Sequence, residues 1–83
     1  ISDDKTAALD LDCDVFNGKT NAQLFNYIRT TRDFKQLIWE FGDENNPDWV
    51  HVSYSTDPTL NKREVLIAKR EGRRTVYEYY KAK

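Results

Sequence analysis

The segment at residues 7–14 has a period of two, and this is the feature that most constrains the fold. Its odd-numbered positions are all apolar, and from residue 10 onward its even-numbered positions carry three carboxylates, Asp10, Asp12 and Asp14. Such alternation is typical of a half-buried β-strand, because successive side chains point to opposite faces of the sheet. We therefore predict a first strand with three carboxylates on one face.

Downstream patterns predict one helix and four more strands. Thr20 or Asn21 can cap a helix that ends near residues 31–33. Its apolar residues recur at helical spacing: Leu24, Phe25 and Ile28. The predicted strands cover residues 37–41, 49–55, 64–69 and 75–80, with a loop at 42–48 and a β-hairpin turn at Glu71-Gly72.

These elements define an α+β chain with a mainly antiparallel sheet, one main helix packed on it and a C-terminal β-hairpin. At 83 residues, we expect positions 1–83 to form one domain. The net charge of -1 argues against a generic nucleic-acid partner, and no apolar run approaches a membrane span. Cys13 is the only cysteine, so no internal disulfide is expected. We expect a monomer.

Tyrosines in the last strand, with basic residues before them, permit two interpretations. The residues are Arg73, Arg74, Tyr77, Tyr79 and Tyr80. Such a stripe can stack nucleic-acid bases. We favour the other interpretation, a hairpin with packing aromatic residues and a solvated basic turn.

His51 is the only histidine, and its neighbours suggest chemistry. A lone histidine in a strand is more often an ordinary packed or hydrogen-bonded side chain than a metal ligand. However, Asp48 stands three residues before His51, and the first strand offers Asp10 from an adjacent strand. One histidine, one aspartate and a nearby acid are components of a hydrolytic zinc site, in which a carboxylate takes a proton from water.

The segment Asp48-Trp49-Val50-His51 resembles the second motif of the zinc D-alanyl-D-alanine carboxypeptidases, which is an acid, tryptophan, any residue and histidine. Residues 21–25, 36–42, 63–66 and 75–77 also look like the phage and bacterial branch of that family. The resemblance implies a Hedgehog/DD-peptidase-like fold. The chain would supply about the C-terminal half to two-thirds of the family's domain.

The family's first motif, Ser-x-His-x-x-Gly-x-Ala-x-Asp, matches only at its end, on Ala8 and Asp10. This alignment puts Asp3 where the family has its first zinc-binding histidine, Thr6 where it has glycine and Ile1 where it has serine. The motif has either been degraded, through truncation or replacement of the preceding region, or Asp3 is a substitute ligand. Asp3 can also be a solvated end residue.

Carried over by position, the resemblance implies Asp10 and His51 as zinc ligands, with Asp3 as a third candidate. It implies Asp48 as the general base or acid for the attacking water. Glu40 either orients a ligating histidine from behind or pairs with an arginine.

The implied activity is hydrolysis of peptide bonds in peptidoglycan at the bacterial cell wall, as in a phage lysis enzyme. The alternative is a non-catalytic module of the same fold that binds peptidoglycan or a protein. The missing first-motif histidine favours that alternative.

Overall fold

The computed structural model of this chain describes residues 6–12 and 20–81. Their elements are, in chain order, β1 (Thr6–Leu11), α1 (Asn21–Thr31), β2 (Gln36–Glu40), β3 (Trp49–Ser55), a short 3-10 helix (Pro58–Leu60), β4 (Glu64–Glu71) and β5 (Arg74–Tyr79). The predicted helix and five strands are confirmed, and Cys13 and Asp14, the predicted end of the first strand, lie outside the described residues.

The five strands form one sheet in the order β1-β3-β2-β4-β5. All neighbouring pairs are antiparallel except β2 and β4, which are parallel. The α+β class with a mainly antiparallel sheet is therefore confirmed, as is the terminal hairpin formed by β4 and β5. Among the described residues, no helix has the length and hydropathy that a membrane crossing requires.

Both ends of α1 have specific hydrogen-bond partners. Thr20 is the N-cap, because its hydroxyl accepts from the Gln23 backbone N–H at 3.1 Å and Gln23 Oε1 accepts from the Thr20 N–H at 3.0 Å. This reciprocal pair satisfies two of the amides that a helix start leaves without partners. At the other end, the Arg63 guanidinium donates to the carbonyls of Arg29 and Arg32.

The core lies between α1 and one face of the sheet, which we call the helix-covered face. Leu37, Trp39 and Val50 are its buried members on β2 and β3. From α1, Phe25 is fully buried, and its ring meets that of Trp39 edge-on at a centroid distance of 5.1 Å. The other side of the sheet, which carries Ile38 and His51, is called the open face.

β1 is more exposed than its alternation indicates. Leu9 lies on the helix-covered face, opposite Val52, yet it is 59% exposed, and Leu11 is the only strand residue of β1 that is even partly buried. The prediction of a half-buried first strand is therefore wrong for most of its length. The reason is that α1 packs on the central strands β2 and β3 and leaves the edge strand uncovered.

The loop at residues 42–48 is fastened to the start of α1. The fully buried Asn21 side chain donates to the carbonyls of Pro47 at 3.3 Å and Asp48 at 3.0 Å. Asn46 Oδ1 accepts from the Ala22 backbone N–H at 2.8 Å. The loop begins at Gly42, whose φ is 72° and where a Cβ would lie 2.2 Å from the Asn46 carbonyl oxygen. Only glycine fits such a position.

Candidate functional site

The open face brings Asp10 and His51 together. The two residues are directly opposite each other in the β1–β3 pairing, and His51 Nδ1 lies 2.9 Å from Asp10 Oδ1. The His51 side chain is 26% exposed and that of Asp10 67%. The pair is thus accessible from solvent, and its geometry follows from strand register.

Glu40 is the third ionisable group at this place. It lies two residues along β2 from Ile38, which is opposite His51, so all three side chains share the open face. Glu40 is only 8% exposed. Burial raises the pKa of the Glu40 carboxyl, the His51 ring lowers that pKa, and the Asp10 carboxylate raises it. Glu40 is therefore electrostatically coupled to both members of the pair.

The sequence position of Glu40 is compatible with two roles, orienting a ligating histidine or pairing with an arginine. Within residues 6–12 and 20–81, the ion pairs do not include one between Glu40 and an arginine. Arg70, which is on the same face, lies over the Phe41 ring at 4.6 Å from its centroid. The position of Glu40 beside His51 favours the first role, which stays a prediction.

An aromatic pair borders the site on one side. The rings of Phe41 and Trp49 meet at a centroid distance of 5.5 Å, and Trp49 is partly exposed. Phe41 has a φ of 57°, in the left-handed region that bulky residues rarely adopt. This backbone conformation ends β2 and places the Phe41 ring beside Trp49. Trp49 is directly opposite Glu40 in the β2–β3 pairing, so the aromatic pair lies next to Glu40.

Asp48 is not brought to the Asp10–His51 pair. Its backbone N–H donates to the Glu40 carbonyl at 2.9 Å, which fixes its place just before β3. Strand alternation directs the exposed Asp48 side chain to the helix-covered side, and it lines a groove there with Ala22, Trp39 and Tyr80. His51, three residues later, faces the opposite side. The role of Asp48 as proton carrier stays a prediction.

Asp12 has a structural role that sequence reasoning missed. It follows the last residue of β1, and its Oδ1 accepts from Asn21 Nδ2 at 3.0 Å. The third carboxylate of the alternating run, Asp14, lies outside the described residues. The expected row of three carboxylates is therefore reduced, within the described residues, to Asp10 alone on the open face. No sequence signal distinguishes a buried, bridging asparagine such as Asn21 from an ordinary cap.

The pair has a definite hydrogen-bond chemistry. An ionised carboxylate only accepts hydrogen bonds, so His51 Nδ1 donates to Asp10 and Nε2 carries the lone pair when the ring is neutral. A carboxylate that holds a histidine in this way fixes the tautomer and the orientation of the ring. Nε2 is then available to accept a proton or to bind a cation.

The 2.9 Å between Nδ1 and Oδ1 is a hydrogen-bond distance, shorter than the about 3.3 Å that separates two ligands of a tetrahedral zinc with bonds of about 2.0–2.1 Å. Direct ligation by both side chains would therefore replace this hydrogen bond. Residues 6–12 and 20–81 contain no cluster of three or more histidine, cysteine, aspartate or glutamate side chains placed to hold a metal. The third candidate ligand, Asp3, lies outside the described residues.

Comparisons with protein-family models, with curated proteins and with solved structures found no match to this chain. The class of the molecule therefore follows from its own fold and site. It is a small α+β protein with an aspartate–histidine pair on the open face of a five-stranded sheet.

Proposed function

We propose that this chain resembles about the C-terminal half to two-thirds of a zinc peptidase of the D-alanyl-D-alanine carboxypeptidase type, with a Hedgehog/DD-peptidase-like fold. It would cleave peptide bonds of peptidoglycan. The observation that carries this proposal is the contact between Asp10 and His51, which were aligned with two ligands of that family and lie 2.9 Å apart across adjacent strands.

In this proposal each side chain has a distinct task. Asp10 and His51 hold the zinc ion, which when bound polarises the substrate carbonyl and lowers the pKa of a coordinated water. Glu40, buried beside them, stabilises the positive charge of the site and keeps the His51 ring in place. Asp48 is assigned the proton transfer, and it needs a movement of the loop at residues 42–48 to reach the open face.

The test uses the complete native polypeptide, with zinc content and hydrolysis of D-Ala-D-Ala peptides as readouts. We expect stoichiometric zinc and turnover that a chelator abolishes, and we expect His51→Ala to lose both. Asp33→Asn is the matched control for Asp10→Asn, because Asp33 is also an exposed aspartate paired with a basic side chain, Arg63. Native polypeptide without zinc and without turnover contradicts the proposal.

Asp10→Asn also distinguishes two possible roles of Asp10, which are direct ligation of zinc and orientation of His51. If Asp10 binds zinc directly, its loss removes one of few protein ligands and abolishes zinc binding. If it only orients His51, zinc affinity falls by about 10–100-fold and binding persists at higher zinc concentration. A zinc titration of this variant, followed by a competing chelator, distinguishes the two.

The second candidate is a non-catalytic peptidoglycan-binding module of the same fold. It is favoured by the single histidine of the chain, since the residue aligned with the family's first zinc-binding histidine is Asp3. This module would sediment with purified peptidoglycan equally well with and without chelator, and it would release no D-alanine. Binding that a chelator abolishes supports the peptidase instead.

A further inference from the structure

The two outer strands of the sheet are β1 and β5, and each pairs with only one other strand of the described residues. An edge strand directs part of its backbone N–H and C=O groups away from the sheet, where a further extended strand can pair with them. β1 pairs with β3 over all six of its residues in continuous register, without a bulge. Its outer edge is therefore a regular template for one more strand.

The two edge strands differ in the side chains that they carry on the helix-covered face. β5 has two charged residues there, Arg74 and Glu78. Charged side chains on an edge strand discourage pairing with another chain, because pairing would bring them against a new strand. On the same face, the strand residues of β1 are all apolar: Ala7, Leu9 and Leu11. Of the two edges, β1 is therefore the one without this protection.

An apolar surface beside β1 is exposed, because α1 packs on β2 and β3. Leu9 is 59% exposed, and Tyr54, which is opposite Ala7 in the β1–β3 pairing, is 48% exposed. The charged side chains that line the surface next to Tyr54 are of both signs, Arg32 and Asp33. A second copy of this surface therefore does not meet a patch of like charge.

The side-chain pattern of β1 makes its edge complementary to itself. A two-fold axis perpendicular to the sheet pairs two copies of β1 in antiparallel orientation and keeps both helix-covered faces on the same side. Directly opposite residues share a face, so odd-numbered residues pair only with odd-numbered ones. With Leu9 on the axis, the two Leu9 side chains are opposite each other and each Ala7 is opposite a Leu11. On the open face, each Asp10 is opposite an Ala8, so no like charges are directly opposite.

We propose that this chain forms a two-fold dimer by antiparallel pairing of β1 with β1 of a second copy, with Leu9 on the axis. The two five-stranded sheets then become one continuous sheet. The two Asp10–His51 pairs lie on the same face of it, three strand spacings or about 14 Å apart across the sheet. The sequence predicts a monomer, and the unprotected edge of β1 is the reason to propose a dimer instead. Dimerisation requires neither zinc nor substrate, so it does not depend on the proposed function.

Sedimentation equilibrium of the native polypeptide, over a range of concentrations and with a chelator present, measures the association. We expect a reversible equilibrium between monomer and dimer. Leu9→Lys places two positive charges opposite each other and should weaken dimerisation by about tenfold or more. Tyr77→Lys is the matched control, because Tyr77 is 54% exposed but lies on β5, and it should leave the equilibrium unchanged. A chain that is still monomeric at about 1 mM overturns the proposal, as does a dimer that only Tyr77→Lys dissociates.

Cysteine cross-linking tests which residues are opposite each other. The background is Cys13→Ser, which removes the native thiol. Leu9→Cys should form an intermolecular disulfide on oxidation, because directly opposite residues have Cα atoms about 4.5–5.5 Å apart, a separation that a disulfide spans. Ala8→Cys should stay reduced, since Ala8 is opposite Asp10 in the proposed register. Cross-linking of Ala8→Cys without cross-linking of Leu9→Cys overturns this register.

Amide hydrogen exchange locates the contact and shows whether the variants are folded. As the concentration of wild type rises above that of the dilute monomer, the amides of residues 6–11 should exchange more slowly, while those of β5 should not change. Folded Leu9→Lys should lose this dependence on concentration. Slower exchange in β5 alone overturns the proposal, because it places the contact at the other edge. Protection of residues 6–11 in a monomer, seen only with an added peptide of another sequence, overturns the dimer in favour of a foreign strand.

Discussion

On the helix-covered face, Leu37, Trp39 and Val50 are buried beneath α1, whereas on the open face the same strands carry Glu40 and His51. The side chains of both faces come from β2 and β3, so the two faces share the same backbone hydrogen bonds. The difference lies in the side chains, because the helix-covered face buries apolar groups, while the open face combines buried residues, Ile38 and Glu40, with the partly exposed His51. We therefore expect stability and candidate chemistry to respond to different substitutions.

The largest effect is expected for Phe25→Ala. Phe25 is fully buried and contacts the rings of Trp39 and Tyr80, at centroid distances of 5.1 Å and 5.0 Å. Its truncation should lower the free energy of unfolding by about 3–5 kcal/mol, which is a large share of the stability of a small domain. Urea denaturation measures this loss. Tyr27→Ala, on the exposed side of the same helix, is the control, and a similar loss there would break the distinction between the faces.

Asn21→Ala should have the next largest effect. It removes the amide that bridges Asp12, Pro47 and Asp48, and it leaves buried carbonyls without that donor. We expect a loss of about 1–3 kcal/mol, together with faster amide hydrogen exchange in residues 42–48. Unchanged exchange in the loop would show that Asn46 alone is sufficient to hold it.

Thr20→Ala tests the helix that covers the core. The loss of its side-chain bond to the Gln23 amide should cost about 1 kcal/mol in the free energy of unfolding. Thr30→Ala is the control, since the Thr30 hydroxyl bonds only to carbonyls within the helix, Asn26 and Tyr27. Its change should stay within about 0.5 kcal/mol. Equal effects in chemical denaturation would contradict a capping role.

His51→Ala tests whether the open face contributes to stability. Its ring is partly exposed and contacts an exposed carboxylate, so the free energy of unfolding should change by less than about 0.5 kcal/mol. Zinc binding, if present, should be lost at the same time. A loss of stability as large as that of Phe25→Ala, measured in metal-free buffer, would show that the open face also carries the fold.

The smallest effect is expected from Glu40→Gln, which should change how steeply the free energy of unfolding varies with pH. Burial raises the pKa of Glu40 above 4.5, its ordinary value, so the folded state keeps the proton to higher pH than the unfolded state does. The contribution of this group to stability is present at low pH and lost as pH rises through the folded pKa. Glu40→Gln should therefore reduce the loss of stability that occurs as pH rises above about 4.5. The same substitution at the exposed Glu44, in the loop at residues 42–48, is the matched control.

The sequence predicted elements better than it predicted their arrangement. Helix spacing, the Thr20 cap and the turn at Gly72 are local signals, and the structure contains them within a few residues of the predicted bounds. The parallel pairing of β2 with β4 had no such signal, because alternation along a strand does not say which strand lies beside it. The exposure of Leu9 was missed for the same reason.

The candidate site was predictable to a similar degree. The resemblance to a peptidase family aligned Asp10 and His51 with two ligands, and the structure places these residues side by side. It assigned Asp48 to the same site, whereas strand alternation directs that side chain away from His51. Tyr79 and Gln36 both donate hydrogen bonds to Glu64, and these bonds join three strands. They could not be predicted before the register of those strands was known.

The edge position of β1 has a consequence for the order in which this molecule folds. Asp10 and His51 are separated by 41 residues, and their contact requires β1 to add to a sheet whose other strands pair within shorter stretches of chain. The β1–β3 pairing closes the longest loop of the sheet, and five of the six residues of β1 are exposed, so β1 should join last and detach first. The candidate site would then assemble and come apart without unfolding of the core, and the amides of residues 6–11 should exchange with solvent well before those of β2.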